Sequence, residues 1–120
     1  MPVNIKRVYE DAEKSDGIRI LVDRIWPRGV SKEAASLDAW EKEVAPSDEL
    51  RKWFDHDPDK YETFKKEYKK EMEENAEQKE SLNHLKKWTK EHNKNITLVY
   101  GAKDEKYNQA AVLKEILDQQ

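Results

Sequence analysis

The 120-residue chain contains no cysteine. A disulfide scaffold, a thiolate zinc site, a rhodanese-type sulfur carrier and a cysteine-dependent phosphatase are all excluded on that ground. Long apolar runs are missing as well. No stretch approaches the ~20 residues of a membrane span, and no apolar core follows Met1-Pro2-Val3-Asn4-Ile5-Lys6-Arg7 as it would in a signal peptide. A soluble, cytoplasmic protein is the expectation, with no membrane partner. Charge of one sign is also lacking, since 23 Lys and Arg against 26 Asp and Glu leave a formal net charge of −3. With a pI near 5.7 there is no global attraction to phosphate backbones, and no nucleic-acid partner is expected. Only three glycines occur, and neither GxGxxG nor GxxxxGK[ST] is among the motifs.

Charged residues make up 41% of the chain, while Leu, Ile, Val and Phe together number only 23. That apolar fraction borders on the disordered range, but disorder also calls for a large net charge. Four Trp and five Tyr argue for a core, because each buries roughly 150–250 Å². The composition describes one folded domain over residues 1–120, with a thin core and a balanced charged coat.

Alternation at period two marks Val3–Tyr9 as a half-buried strand. Ser15-Asp16-Gly17 is a turn, and the β-branched run Ile18–Ile25 reads as a strand buried on both faces. Trp26-Pro27-Arg28-Gly29 ends it. Ser31 can cap a short helix through Leu37, whereas Leu37–Ala45 fits a helix face or a short strand. After Pro46, Ser47 is a helix cap, with Leu50, Trp53 and Phe54 as the buried stripe. Asp57-Pro58 starts a helix that carries Tyr61, Phe64, Tyr68 and Met72 inward to about Asn75. A second helix, Glu77–Glu91, buries Leu82, Leu85 and Trp88. Ile96–Tyr100 is a second buried strand, and Lys106–Leu117 a last helix with Ala110, Leu113, Ile116 and Leu117 inside. Strands separated by helices specify a single α/β domain. It has a short, mainly parallel sheet of three or four strands, covered by helices, with a charged antiparallel helical hairpin. Ile18–Arg24 and Ile96–Tyr100 are expected to be adjacent and parallel.

Chemistry is expected where these two strands end, because ligands of open α/β sheets bind outside the carboxyl ends of strands. Asp23-Arg24-Ile25-Trp26-Pro27-Arg28-Gly29 offers two guanidiniums, suited to phosphate or carboxylate. Arg24 could equally pair with Asp23 or Asp38. The loop Gly101–Gln109 adds Lys103, Asp104 and Asn108. Asp104 reads as a base or as a cap, and Asn108 as a ligand-orienting amide or a brace for its own loop. His56, between Asp55 and Asp57, reads as an acid/base candidate or a loop residue; His84 and His92 lack ligand spacing, so no metal or cofactor is expected.

Four ordered stretches carry a resemblance: Asp23–Lys32, Glu43–Ser47, Leu50–Pro58, and Thr97–Asp104 continuing to Asn108-Gln109-Ala110. Together they resemble the bacterial YeaO-like family, a domain of unknown function, over nearly the whole chain. Two positions depart from its pattern: Asp55 stands where glycine is usual, and Gly101 where alanine is. The resemblance implies a small cytoplasmic α/β protein and no established reaction. The residues themselves point to binding, with turnover as an extension, of a small anionic or phosphate-containing ligand. Arg24, Arg28, Lys103 and Asn108 would hold it, with Asp104 or His56 as acid/base. The alternative is a non-enzymatic interaction module built on the charged hairpin.

Overall fold

Two runs of β-branched and apolar residues decide where the sheet lies. In the computed structural model, which describes residues 2–120, they form β2 (Ile18–Leu21) and β4 (Ile96–Tyr100). Every residue of β4 is buried. β2 and β4 pair in parallel, with Ile18 opposite Ile96 and Leu21 opposite Val99. β1 (Asn4–Arg7) lies parallel on the far side of β4, and the two-residue β3 (Ala39–Trp40) lies parallel on the far side of β2. The order is β1-β4-β2-β3. The expected strand Ile96–Tyr100 matches β4 at both ends, whereas Val3–Tyr9 and Ile18–Ile25 are correct in place and too long. Val22 makes the last ladder bond, from its N–H to the Val99 carbonyl, and Ile25 stands out in solvent.

Period-two alternation gives the sheet two unlike faces. Ile20, Val22, Leu98 and Tyr100 point into the main core. Against them pack α2 (Asp48–Phe54), α3 (Tyr61–Glu74), α4 (Ala76–Glu91) and α5 (Gln109–Asp118). Leu21 and Val99 point the other way, into a small cluster with Val8 and Ala35. Only α1 (Lys32–Ala35) and its flanking loop cover that side, with Trp26, Val30 and Leu37 half-buried at the edge.

Local chemistry sets the helix boundaries. Ser31, Ser47, Asn75 and Asn108 each accept a backbone N–H from their helix's first turn, the interaction that makes these residue types good caps. Asn108 therefore starts α5 later than the periodicity predicts. Asp57 caps a 3₁₀ turn, Pro58–Lys60, that runs into α3. The ambiguous stretch Leu37–Ala45 divides into β3 and a 3₁₀ turn, Lys42–Val44. α2 ends where Asp55 and then His56 adopt positive φ, 45° and 56°, the left-handed region in which glycine is least strained.

The aromatic stripe is inside as expected at Tyr61, Phe64 and Tyr68, and Phe54 stacks on Phe64 at 4.3 Å. Trp53 is the correction. Leu50 and Phe54 occupy the inward face of the seven-residue α2, and Trp53 falls outside it, 44% exposed, with the Lys60 ammonium over its ring. Trp88 and Ile116 are half-buried at the core margin.

Candidate functional site

β2 and β4 are neighbours, yet the chain leaves them in opposite directions. From β2 it runs to α1 on the thin face, and from β4 to α5 on the thick face. This is a topological switch point, where adjacent loops part and open a crevice at the carboxyl edge. A cleft of about 290 Å³ lies there. Asp23, Arg24 and Ile25 line it from the β2 side, and Gly101, Ala102, Tyr107, Asn108 and Gln109 from the β4 side. Arg51, Phe54 and His56 close it from the end of α2.

Asp23 sits where the two loops meet. One carboxylate oxygen accepts the Gly101 N–H at 2.8 Å and the other the Gln109 side-chain amide at 2.5 Å. Its own carbonyl accepts the Trp40 indole N–H at 2.6 Å. Burial pushes its pKa up to about 6, and the bonds from Gly101 and Gln109 only partly offset this. Glycine at 101 provides room rather than conformational freedom: a Cβ there would stand 3.1 Å from the Asp23 oxygen.

Arg24 is half-committed. Its guanidinium donates to the Ala45 carbonyl at 2.9 Å and reaches the Glu43 carboxylate at 3.4 Å, so its partner is Glu43 rather than Asp23 or Asp38. Its Nε is buried and, among the described residues, has no hydrogen-bond partner. A buried donor left unmade costs about 1–3 kcal/mol, and native structures rarely retain one without a reason. Arg51 is exposed and, among the described residues, holds only a 3.4 Å contact to Asp48, so little opposes its turning to another anion.

The cleft gathers some of the predicted site residues and leaves others out. Arg24, His56 and Asn108 line it. Asn108 is committed to structure, since its side chain caps α5 and holds the Asp104 carbonyl at 2.8 Å. Asp104 is a cap as well: its carboxylate accepts the N–H groups of Lys106 and Tyr107, both at 2.9 Å, and these bonds lower its pKa. Arg28 and Lys103 lie outside the lining. The loop after β2 turns back at buried Pro27, closed by the Trp26 indole on the Val30 carbonyl at 2.8 Å, and leaves Arg28 exposed. Lys103 is exposed on the loop that Asp104 pins. Asp23, Arg51, Phe54, Tyr107 and Gln109 were not singled out as site residues by sequence reasoning. For Asp23 a signal existed, a carboxylate directly after a buried strand; for Arg51, on a helix rich in charge, none did. Among the described residues no three His, Asp or Glu side chains form a metal-binding cluster.

Fold and cleft define a small parallel α/β domain with a polar-floored, aromatic-walled crevice at its switch point. Its family follows from comparison. Residues 2–120 match the family model described as the inactive DUF488-N3 subclade. The chain is 43% identical to the uncharacterized protein YeaO of Escherichia coli K12 over 98% of its own length and 97% of that protein's. It is 39% identical to the uncharacterized proteins Mb3100c of Mycobacterium bovis and Rv3073c of Mycobacterium tuberculosis, over 97% of this chain and 93% of each. The chain belongs to the YeaO-like DUF488 family. No solved structure matches it.

Proposed function

We propose that the protein binds a small anionic ligand, of the phosphate-containing kind, in the switch-point cleft, and that it does so in the cytoplasm. One observation carries this reading: the cleft is lined by three basic side chains, Arg24, Arg51 and His56, from two separate parts of the chain. The hairpin residues Tyr61, Phe64 and Tyr68 are turned inward and Trp88 is half-buried at the core margin, so the hairpin presents little aromatic surface of the kind that dominates protein interfaces. Binding without turnover fits the cleft best. Asp104 is occupied by its own loop, and the subclade's description as inactive agrees.

The test is calorimetric titration of inorganic phosphate and ribose 5-phosphate into the wild type and Arg51→Ala. The wild type is expected to bind ribose 5-phosphate. The variant should bind it about ten-fold or more weakly, on the scale of a charge-assisted hydrogen bond, with its unfolding midpoint unchanged. Absence of binding by the wild type, or equal binding by both, overturns the reading.

A further inference from the structure

An anion alone does not account for the floor of the cleft. A site built only for phosphate gains nothing from a carboxylate, which repels it at close range in a poorly solvated pocket. Yet Asp23 lines the same cleft as the three basic residues. A carboxylate offers about four lone-pair sites, and the Gly101 N–H and Gln109 amide occupy two. Three aromatic side chains, Phe54, Phe64 and Tyr107, share the lining with these polar groups. Such a lining suits a planar ring, and the convergent polar groups at the two ends would fix its orientation. Asp23 accepts from the floor, while Arg51 and His56 donate from the exposed end.

We infer that the ligand is a nucleoside monophosphate, held with its phosphate at Arg51 and His56, its base between the aromatic walls, and an N–H of the base donated to Asp23. Base-edge recognition by a buried carboxylate is selective because a ligand without the N–H leaves the acceptor unpaired and the charge uncompensated. At about 290 Å³ the cleft is at the small end of ligand pockets, which suits a mononucleotide rather than a dinucleotide. This inference rests on the anion-binding reading, and the experiment separates the two.

AMP, GMP, CMP and UMP are titrated alongside ribose 5-phosphate into the wild type, and the tightest nucleotide is compared with its N-methylated counterpart lacking the base N–H. The expected result is at least ten-fold tighter binding of one nucleotide than of ribose 5-phosphate, with that advantage lost on N-methylation. Asp23→Asn should lose the same advantage. The ligand-side comparison uses only the wild type, so it decides the question even if Asp23→Asn does not fold. Ribose 5-phosphate binding as tightly as every nucleotide, or a nucleotide advantage unchanged by N-methylation, overturns the inference and leaves the anion site standing. Failure of ribose 5-phosphate and all four nucleotides to bind removes both.

Discussion

Two arginines of one segment, Arg19 and Arg24, lie five residues apart and live in opposite circumstances. Arg19 is 3% exposed and saturated: it bonds Asp16 at 2.6 Å and twice donates to the Ala35 carbonyl, at 3.1 and 2.8 Å. Asp16 in turn holds Lys6 at 3.2 Å, and the Asp16 carbonyl accepts the Thr97 hydroxyl at 2.6 Å. Among the described residues Arg24 has one good bond, one long one and an enclosed Nε without a partner. The first network is closed, and it ties β1, β2, β4 and α1 together on the thin face. The second is open towards a cleft. A buried charge whose guanidinium nitrogens are all bonded is a structural device; a half-exposed one that lines a cleft with weaker partners can serve a ligand.

Breaking the closed network should have the largest effect. Arg19→Ala takes the closer of Asp16's two cationic partners and both donors of the Ala35 carbonyl, and the expected loss is about 3–5 kcal/mol. Arg24→Ala should cost only about 1–2 kcal/mol, since a single carbonyl bond and a long contact are lost. Urea unfolding of both variants reads the contrast directly, and equal losses would erase it.

The next effect depends on pH and belongs to Asp23. Native Asp23 keeps its proton up to about 6, whereas the unfolded chain releases it near 3.8. In that window the folded state binds more protons, so this group's contribution to stability falls as pH rises and is level above it. At roughly 1.4 kcal/mol per pH unit the fall is about 3 kcal/mol at most. Asp16, Asp104 and Asp118 are shifted the other way, and their contributions are lost as pH falls below 3.8. They are common to wild type and Asp23→Asn. Stability measured from pH 4 to 7 should therefore show the variant gaining on the wild type until about pH 6; parallel curves would mean that Asp23 is not enclosed.

Trp53→Ala should give the smallest change, about 1 kcal/mol or less. Its ring is 44% exposed and covers little beyond the stem of Lys60, and surface positions outside a network shift stability little. A loss near the 3–5 kcal/mol of a buried Trp, seen in the same urea titration, would put the ring in the core instead.

Much of this molecule could be read from residue order, for reasons that are local. Capping by Ser31, Ser47 and Asn75, the buried strands Ile18–Leu21 and Ile96–Tyr100, and the inward stripe of Tyr61, Phe64, Tyr68 and Met72 all depend on neighbours within a few positions. That the two strands lie adjacent and parallel followed from α/β topology rather than from neighbours in the chain, and a cleft lies at their carboxyl ends. What only the tertiary structure decided is which charged side chains share a space. Arg28 and Lys103 resemble anion ligands in the sequence, but the turn at Pro27 and the loop pinned by Asp104 leave both exposed, outside the cleft. Arg51 comes to the cleft from α2, and Asp23 is enclosed by Gly101 and Gln109, 78 and 86 residues away. Burial and charge compensation arise between segments distant in the chain, and no local pattern encodes them.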